Sequence, residues 1–312
     1  MSMQTTNHVL MVRPVRFAFN EQTATNNAFQ QKSEEGEEAV AQQAIKEFDA
    51  FVALLRDNGV TVDVLQDTPE PPTPDSIFPN NCFSTHSLTP VPSPKGEGST
   101  LVLYPMYALN RRLEREKLKK VLWHLHYSRD VDFTPYETSG HFLEGTGSLV
   151  LDREHRMAYS CLSPRTDKEA LKEWAKTMGY RSFAFHSFDE QGTPVYHTNV
   201  MMHVGTRQAV VCLDSVRDES ERSELLTHLQ NDGKEIVPIT LEQMHQFAGN
   251  MLELHNDRDE QLLIMSQTAR QSLTPEQVST LSKYTRIISP DIHTIETAGG
   301  GSARCMLAEL FK

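Results

Sequence analysis

Long apolar runs are missing from this sequence of 312 residues, and basic residues are scarcer than acidic ones. No stretch approaches the roughly 18 consecutive apolar residues of a membrane-spanning helix, so we expect no membrane contact. The net charge of −12 disfavours nucleic acid and anionic lipid as partners and suits a small polar ligand. Residues 1–8 lack the basic and apolar segments of a secretory leader, so we expect a cytoplasmic protein.

Cysteine is also scarce, with four residues placed far apart: Cys82, Cys161, Cys212 and Cys305. Their spacing matches neither a zinc site nor a disulfide framework, so we expect reduced thiols and neither a metal nor a cofactor. The triple glycine at 299–301 is followed by a predicted strand rather than a helix, which is unlike a phosphate loop. Such glycines favour positive φ or close approach to a ligand, and they lead to Cys305. This residue is either a buried strand residue or a reactive thiolate.

A unit of strand, strand, helix and strand recurs with a period near fifty residues. Intervals of 66, 52, 51 and 54 residues separate five strand openings, marked by Asn81, Gly147, Asn199, Asn250 and Arg304. The longest interval contains a Pro/Gly/Ser-rich insertion from Leu88 to Ser99, typical of a hairpin tip. The fifth unit lacks a second strand and a helix, which the stretch from Val9 to Leu65 supplies. The pattern predicts one α/β domain over residues 1–312, a five-bladed propeller closed by pairing of the termini.

Local signals place the helices of these units. An acidic cluster at 33–38 precedes a helix with apolar residues at helical spacing up to Leu55, and a strand is predicted from Val60 to Leu65. Capping boxes beginning at Thr166 and at Thr274 predict two further helix starts.

If the five openings face the middle of the ring, five distant residues converge there: Asn81, Glu144, His197, Asn199 and Cys305. Cysteine supplies a nucleophile and histidine an acid and base, while Glu144 can orient a polarised substrate. Each residue alone has an ordinary structural explanation. Their equivalent positions in the repeat favour a catalytic centre formed by Cys305, His197 and Glu144.

Three motifs carry a resemblance to a known group: Gly299-Gly-Gly-Ser-Ala-Arg-Cys305-Met, His197-Thr-Asn199 and Leu143-Glu144-Gly-Thr-Gly. They resemble the signatures of the pentein, or guanidine-modifying, superfamily, which includes arginine deiminase, dimethylarginine dimethylaminohydrolase and amidinotransferases. The resemblance covers nearly the whole chain and implies a five-bladed α/β propeller. It implies a cysteine hydrolase acting on C–N bonds other than peptide bonds, in linear amidines or ureido compounds.

The same resemblance suggests substrate-binding residues. Leu162-Ser-Pro-Arg165-Thr is similar to a segment whose arginine binds the substrate carboxylate. Pro74 to Asn81 is similar to a segment with a guanidinium-binding carboxylate, here Asp75, and it also contains Phe78. Asn110-Arg-Arg112 is more loosely similar to a basic segment near the substrate, and we select Arg112 from it. Gly300 completes the set.

Two positions depart from the deiminase pattern, because Asn81 and Asn199 stand where deiminases have Asp. A guanidinium group offers only N–H donors and therefore favours carboxylates, whereas a neutral ureido group also has a carbonyl acceptor. The asparagines thus favour a ureido substrate, with citrulline as the leading candidate. The segments Arg13-Pro-Val-Arg-Phe and Asn27-Ala-Phe-Gln resemble the citrulline-utilisation group of the superfamily.

Several alternatives stay open at this stage. The substrate could be arginine or a methylarginine, the reaction could be amidino transfer, and the ring could be a non-catalytic binding protein. A homodimer is compatible with the sequence. The amide-rich segment from Phe17 to Gln31 is either disordered or a lid, and its composition favours a lid.

Overall fold

The computed structural model describes residues 3–34, 36–87 and 99–311, and within them the chain forms short strands joined by helices. The strands are His8–Arg13 (β1), Thr61–Gln66 (β2), Phe83–Ser87 (β3), Ser99–Leu103 (β4), Arg129–Asp132 (β5), Val150–Asp152 (β6), Met157–Cys161 (β7), Arg181–Phe185 (β8), Met202–Val204 (β9), Gln208–Val211 (β10), Glu235–Pro238 (β11), Leu252–His255 (β12), Gln261–Ile264 (β13), Arg286–Ile288 (β14) and Ala308–Glu309 (β15).

These strands form five three-stranded sheets in the described part of the chain: β3-β4-β5, β6-β7-β8, β9-β10-β11, β12-β13-β14 and β15-β1-β2. In the first four, the first two strands pair as an antiparallel hairpin and the third is parallel to the second. In the last, β15 pairs antiparallel with β1, with Val9 opposite Glu309, and β2 is parallel to β1. The predicted pairing of the two termini is confirmed. The protein is therefore a mixed α/β fold of small sheets.

Helices connect the parallel strands, as the repeat predicts. The α-helices are Glu21–Ala24 (α1), Glu37–Asp57 (α2), Leu109–Arg112 (α3), Glu114–His124 (α4), Gly145–Ser148 (α5), Lys168–Met178 (α6), Thr198–Met201 (α7), Glu219–Asn231 (α8), Leu241–His245 (α9), Gln267–Ser272 (α10), Pro275–Leu281 (α11) and His293–Gly299 (α12). Short 3₁₀ turns lie at Pro79–Asn81, Thr134–Ser139, Leu213–Ser215 and Ala303–Met306. No helix in the described ranges is long and apolar enough to cross a membrane.

Helix ends agree with the sequence signals in most places. α2 ends where Gly59 takes a φ of 83°, and α11 begins with the predicted Thr274 capping box. At α6 the prediction is wrong by one residue, because Asp167 rather than Thr166 is the N-cap. The Asp167 carboxylate accepts the backbone N–H groups of Glu169 and Ala170, so it satisfies the free donors of the first turn directly.

The apolar residues form four clusters rather than one central core. One cluster joins Phe48 of α2 to Leu254 of β12 and to Leu307 beside β15, so the first and last parts of the chain are buried together. Cys305 belongs to this cluster and is only 3% exposed. The closure of the chain on itself thus fixes the environment of this cysteine.

The five repeat markers lie on short turns that precede strands, not on the strands themselves. Asn81 ends one 3₁₀ turn and Arg304 lies in another, while Gly147 lies in α5 and Asn199 in α7. Asn250 lies in the loop before β12. Each marker therefore lies just before the first strand of its own sheet.

Of the two loop segments singled out in the sequence, the structure describes the second in full but the first only at its ends. The insertion 88–99 connects β3 to β4, whose paired ends are Ser87 and Ser99, but residues 88–98 lie outside the described ranges. The segment 17–31 contains α1 and lies against the glycine loop. The side chain of Asn27 donates to the Gly300 carbonyl at 3.3 Å, and the Gln31 N–H donates to the Thr297 carbonyl at 2.8 Å.

Candidate active site

A narrow cavity at the ends of these turns brings together seven of the ten residues selected from the sequence. Its lining consists of Asn27, Asp75, Phe78, Asn81, Arg111, Arg165, Tyr196, His197, Gly299, Gly300, Gly301 and Cys305. Glu144 and Asn199 lie behind this wall, each one hydrogen bond from a lining residue. Arg112 points elsewhere and is replaced by its neighbour Arg111.

The glycine loop gives the cavity its shape. Any side chain at Gly299 or Gly301 would come within about 3 Å of the Phe78 ring, with closest approaches of 2.8 Å and 3.0 Å. Gly300 has a φ of 61°, and a Cβ there would lie 2.6 Å from the Asn27 amide nitrogen. The loop therefore needs glycine both for close approach and, at Gly300, for backbone conformation.

Cys305 lies on the 3₁₀ turn that follows this loop, and all four cysteines are buried free thiols. Its sulfur faces two side-chain amides. The Nδ2 atom of Asn199 is 3.5 Å away and the Nδ2 atom of Asn250 is 3.3 Å away. The sulfur is thus surrounded by N–H donors on one side and by the cavity on the other.

His197 is paired with a buried carboxylate. Its Nε2 atom lies 2.8 Å from Glu144 Oε2. Burial lowers the pKa of His197 to about 4, although the hydrogen bond to Glu144 acts in the opposite direction, so the ring is neutral at neutral pH. A neutral ring that donates from Nε2 leaves Nδ1 as an acceptor. Nδ1 faces Gly147, where an added Cβ would lie 2.7 Å from it.

The Glu144 carboxylate contacts His197 directly. Burial alone would raise the pKa of Glu144, but Arg165, His197 and Arg111 together lower it to about 2, so it is ionised. Its Oε1 atom accepts the Tyr107 N–H at 2.9 Å, while Oε2 accepts from His197. The carboxylate thus fixes the tautomer and direction of the imidazole, and its predicted role in orienting a substrate stays a prediction.

Asn81 and Arg111 form a buried pair at the cavity wall. Arg111 is 2% exposed, and its Nη1 donates to Asn81 Oδ1 at 2.7 Å. Its other N–H groups donate to Glu114 and to the Phe78 carbonyl. The Nδ2 atom of Asn81 is buried and has no hydrogen-bond partner among the described residues.

Asp75 presents a second unsatisfied atom. Its Oδ2 accepts hydrogen bonds from Asn20 at 2.8 Å and Thr23 at 3.1 Å. Its Oδ1 is buried without a partner in the described part of the structure. Burial raises the pKa of Asp75, although the nearby charge of Arg111 partly offsets this. A ligand that donates an N–H to Oδ1 would satisfy the carboxylate.

Arg165 links the segment 17–31 to the Glu144 carboxylate. Its Nε donates to Asn26 Oδ1 at 2.7 Å and its Nη2 to the Thr23 carbonyl at 2.8 Å. Its Nη1 lies 3.6 Å from Glu144 Oε2, and the guanidinium stacks 4.9 Å from the centre of the Tyr196 ring. The guanidinium is thus held beside the cavity by contacts on three sides.

Arg112 is not among the residues that line the cavity, and its selection as a substrate-binding residue stays a prediction. Its side chain donates to the carbonyls of Met106 at 2.9 Å and Tyr107 at 3.3 Å, so it supports the loop that carries the Tyr107 N–H. The adjacent Arg111 is turned into the wall instead. The sequence motif carries both arginines, and only the helical phase of α3 decides which one faces the cavity.

Asn250 and Tyr196 are functional candidates that the sequence analysis did not select. Asn250 was already one of the five repeat markers, so the pseudo-symmetry contained the signal. Tyr196 immediately precedes His197, and its hydroxyl donates to the Gly300 carbonyl. No pattern in the sequence distinguishes this tyrosine from a packing residue.

Outside the cavity, the described residues contain one group of potential metal ligands: Asp152, His155 and Asp232. The Lys234 ammonium lies 2.9 Å from Asp152 Oδ2 and supplies a buried positive charge there. A metal ion would compete with this cation, so the group fits an ion pair better than a metal centre.

A cysteine, a histidine on a buried glutamate and a glycine loop on this arrangement of small sheets define a member of the pentein superfamily of guanidine-modifying enzymes. The chain belongs to the family described as N,N dimethylarginine dimethylhydrolase, eukaryotic, whose family model matches residues 13–312. It is therefore a member of a family of hydrolases that act on C–N bonds of guanidines. The resemblance inferred from the three motifs is confirmed. No curated protein matches the chain by sequence.

Solved structures share the fold at low identity. The N-terminal domain of ArgZ, an arginine dihydrolase from the ornithine–ammonia cycle in Cyanobacteria, was solved as a cysteine-to-serine mutant with its substrate. It superimposes with a TM-score of 0.75 at 13% identity, over 98% of each chain. AgrE in complex with L-arginine has a TM-score of 0.75 at 15% identity, covering 98% of this chain and 40% of AgrE. DDAH from Pseudomonas aeruginosa with citrulline has a TM-score of 0.66 at 14% identity, covering 98% and 100%.

Proposed function

We propose that the protein is a cysteine hydrolase that cleaves the ureido group of a citrulline-type amino acid. One observation carries the choice of substrate. Two buried polar atoms of the cavity wall, Asn81 Nδ2 and Asp75 Oδ1, have no partner among the described residues. One is an N–H donor and the other is a carboxylate acceptor.

A ureido group complements this pair of atoms better than a guanidinium does. Its carbonyl oxygen accepts from Asn81 Nδ2, and its N–H groups donate to Asp75 Oδ1. A guanidinium has no acceptor, so it would leave the Asn81 donor facing another donor. Leaving a buried polar group unpaired costs about 1–3 kcal/mol, which is enough to discriminate between the two substrates.

The proposed chemistry begins with Cys305 and the free Nδ1 atom of His197. The thiol gives its proton to Nδ1, and the thiolate adds to the ureido carbon. The C–N bond to the substrate amine breaks, and the His197 imidazolium returns the proton to that nitrogen. The first products are the free amine, ornithine in the case of citrulline, and a carbamoyl group on the sulfur.

Water completes the cycle. His197 Nδ1 removes a proton from the water, and the resulting hydroxide adds to the carbamoyl carbon. The C–S bond then breaks, and the sulfur regains a proton from His197. Carbamic acid leaves and dissociates into ammonia and carbon dioxide. A guanidino substrate would follow the same steps through an amidino group on the sulfur.

The substrate carboxylate is assigned to Arg165. Its guanidinium already lies at the cavity wall and is held by Asn26 and Thr23 of the segment 17–31. We propose that this segment is a lid whose position depends on the occupancy of the cavity. Phe78 and Gly300 would contact the substrate from the glycine-loop side.

We further propose that residues 1–312 form a single domain in which the five sheets are the blades of a propeller. The equivalent turns before each blade support this arrangement, since all five carry or adjoin a residue that lines the cavity or lies within one hydrogen bond of Cys305 or His197. We propose that the enzyme acts in the cytoplasm on a small amino acid without a cofactor. Sedimentation of the purified protein distinguishes a monomer from the homodimer that the sequence allows.

A guanidino hydrolase is the second candidate, and the Asp75 carboxylate favours it. Burial raises the pKa of Asp75. Once ionised, however, its carboxylate attracts a guanidinium cation more strongly than it attracts a neutral ureido group. This reading assigns L-arginine or a dimethylarginine as the substrate. It leaves the Asn81 amide without a function.

Incubation of the purified protein with citrulline, L-arginine and asymmetric dimethylarginine, followed by product analysis, tests the proposal. We expect ornithine and ammonia from citrulline with the highest kcat/KM of the three. The Cys305→Ala variant is the control and should form no product while keeping its fold. A higher kcat/KM for either guanidino compound would overturn the ureido assignment and leave the second candidate.

A further inference from the structure

The sulfur of Cys305 receives amide N–H groups from two asparagines that are far apart in sequence. Asn250 Nδ2 lies 3.3 Å from the sulfur and Asn199 Nδ2 lies 3.5 Å from it. Both asparagines are nearly fully buried, so water does not compete for these contacts. The three residues come from the turns that begin three different repeats.

The direction of the Asn250 amide is fixed independently of the sulfur. Its Oδ1 atom accepts the Arg304 backbone N–H at 3.0 Å, and its Nδ2 also donates to the Asn199 carbonyl at 2.9 Å. Exchanging oxygen and nitrogen would break both bonds at once. The Nδ2 group therefore faces Cys305 at 3.3 Å, and a protonated Cys305 sulfur donates in turn to Oδ1 at 3.8 Å.

The buried thiol of Cys82 has the opposite kind of hydrogen-bond partner, an acceptor rather than a donor. Its sulfur donates to the Glu114 carboxylate at 3.0 Å. Burial raises the pKa of the Cys82 thiol, and the Glu114 charge raises it further. A carboxylate holds the proton on that sulfur, whereas N–H donors stabilise a sulfur without its proton.

We propose that Asn199 and Asn250 are positioning residues that hold Cys305 and stabilise its thiolate through N–H···S hydrogen bonds. This inference rests on the proposed function, because it takes Cys305 as the nucleophile. It assigns a different role to Asn199. There the amide serves the nucleophile, and Asn81 is left as the asparagine that faces the substrate.

The test replaces each amide by a carboxylate of the same shape and follows the sulfur without any substrate. Asn250→Asp and Asn199→Asp replace an N–H donor by a negative oxygen beside the sulfur. Thiolate formation is followed by ultraviolet absorbance, with each variant's Cys305→Ser counterpart subtracted, and by the rate of iodoacetamide modification of Cys305. Asn256→Asp is the matched control, because Asn256 is also buried but bonds only within its hairpin turn.

We expect iodoacetamide modification at neutral pH to slow by about tenfold or more in both variants, since one pKa unit is a tenfold change in thiolate fraction. Raising the pH should restore the rate, and the half-maximal absorbance should move to higher pH than in the wild type. The Asn256→Asp control should follow the wild type. With substrate, kcat should fall more than KM rises.

Asn199→Asp decides the outcome if Asn250→Asp does not fold. Asn250 also bonds to the backbone, whereas the Asn199 side chain bonds only to the sulfur within the described residues. A folded Asn199→Asp protein whose sulfur titrates as in the wild type would overturn the proposal. Because no substrate enters these measurements, this result is distinguishable from a failure of the citrulline assignment.

Discussion

The Arg111 guanidinium donates to the amide oxygen of Asn81 at 2.7 Å and thereby fixes the direction of the Asn81 amide. An arginine side chain has no acceptor atom, so the amide nitrogen cannot occupy the same position. The nitrogen therefore lies on the side of the amide away from Arg111, beside Gly147, where it finds no partner among the residues that the structure describes. The proposed preference for a ureido carbonyl therefore depends on an arginine outside the three motifs that carry the family resemblance.

Asn81→Asp should reverse the substrate preference. The new carboxylate keeps an oxygen on Arg111 and turns a second oxygen into the cavity, where it repels a ureido carbonyl and attracts a guanidinium. We expect the ratio of kcat/KM for citrulline over L-arginine to fall by about tenfold or more, corresponding to about 1–3 kcal/mol for the unpaired group.

The adjacent Asn80 provides the control for this experiment. Asn80 is fully buried and its Nδ2 donates to Thr146, behind the cavity wall. Asn80→Asp should therefore leave the substrate ratio close to that of the wild type. An unchanged ratio in Asn81→Asp would show that the direction of the Asn81 amide does not select the substrate.

Most of the architecture could be predicted from the sequence, because the same weak local signals recur in each repeat and support one another. Markers such as Asn81 and Asn250 recur at nearly constant intervals, and the lengths of the connecting helices follow from apolar periodicity. The three glycines at 299–301 could also be interpreted, since close approach to an aromatic ring is one of the few reasons for such a run.

The division of roles within the site could not be predicted in the same way. Whether Arg111 or Arg112 faces the cavity depends on the phase of a single turn, α3, that has no amphipathic pattern. Asn199 and Asn81 occupy equivalent repeat positions, yet one amide bonds to the sulfur and the other faces the cavity. Such differences arise from hydrogen bonds between repeats, which spacing along the chain does not encode.

The neutral state of His197 should be visible in the pH dependence of stability. Its pKa is lowered from 6.5 to about 4 by burial, so the unfolded chain binds a proton between these values and the folded chain does not. The contribution is therefore fully present above about pH 6.5 and is lost as the pH falls toward 4. The free energy of unfolding should be greater at about pH 7 than at about pH 5 by about 2 kcal/mol from this residue.

Urea unfolding of wild type and His197→Gln at both pH values measures this contribution. The other histidines titrate in both proteins, so the difference between the two proteins reports on His197 together with its partner Glu144. The wild type should lose more stability on acidification than the variant. Equal losses would mean that His197 has the same pKa in the folded and unfolded protein, which would contradict a ring held neutral by burial.

Gly147→Ala should lower the activity by sterics alone. The added Cβ would lie 2.4 Å from Asn81 Nδ2 and 2.7 Å from His197 Nδ1, so both side chains must move. We expect kcat/KM to fall by about tenfold or more and the stability by about 1–3 kcal/mol, as for overpacked sites. Gly36→Ala is the control, because an added Cβ there meets nothing within 4 Å. Full activity in Gly147→Ala would contradict the assignment of Nδ1 as the working nitrogen.

Arg165→Lys should raise KM more than it lowers kcat. Arginine binds a carboxylate through two parallel N–H groups, whereas lysine provides a point charge. The expected loss in binding is about 1.5–3 kcal/mol, the range for hydrogen bonds to charged groups. Steady-state kinetics with citrulline and with a decarboxylated analogue give the test. The analogue should show no further loss in the variant, and an unchanged KM for citrulline would remove Arg165 from the carboxylate site.

Replacing each member of the Arg111–Arg112 pair separates the structural assignment from the sequence motif. The Arg111 side chain bonds to Asn81, Glu114 and the Phe78 carbonyl at once, and a lysine ammonium cannot reach all three. Arg111→Lys should therefore lower kcat/KM by about tenfold or more, because the Asn81 amide loses its fixed direction. Arg112 binds two backbone carbonyls at the edge of the site, and an ammonium can still satisfy one of them. Arg112→Lys should keep kcat/KM within about threefold of the wild type.

Kinetics of both variants with citrulline and L-arginine provide the measurement, and Arg111→Lys should also lose the discrimination between the two substrates. A greater loss in Arg112→Lys would restore the residue selected from the motif and place the substrate on the other face of α3.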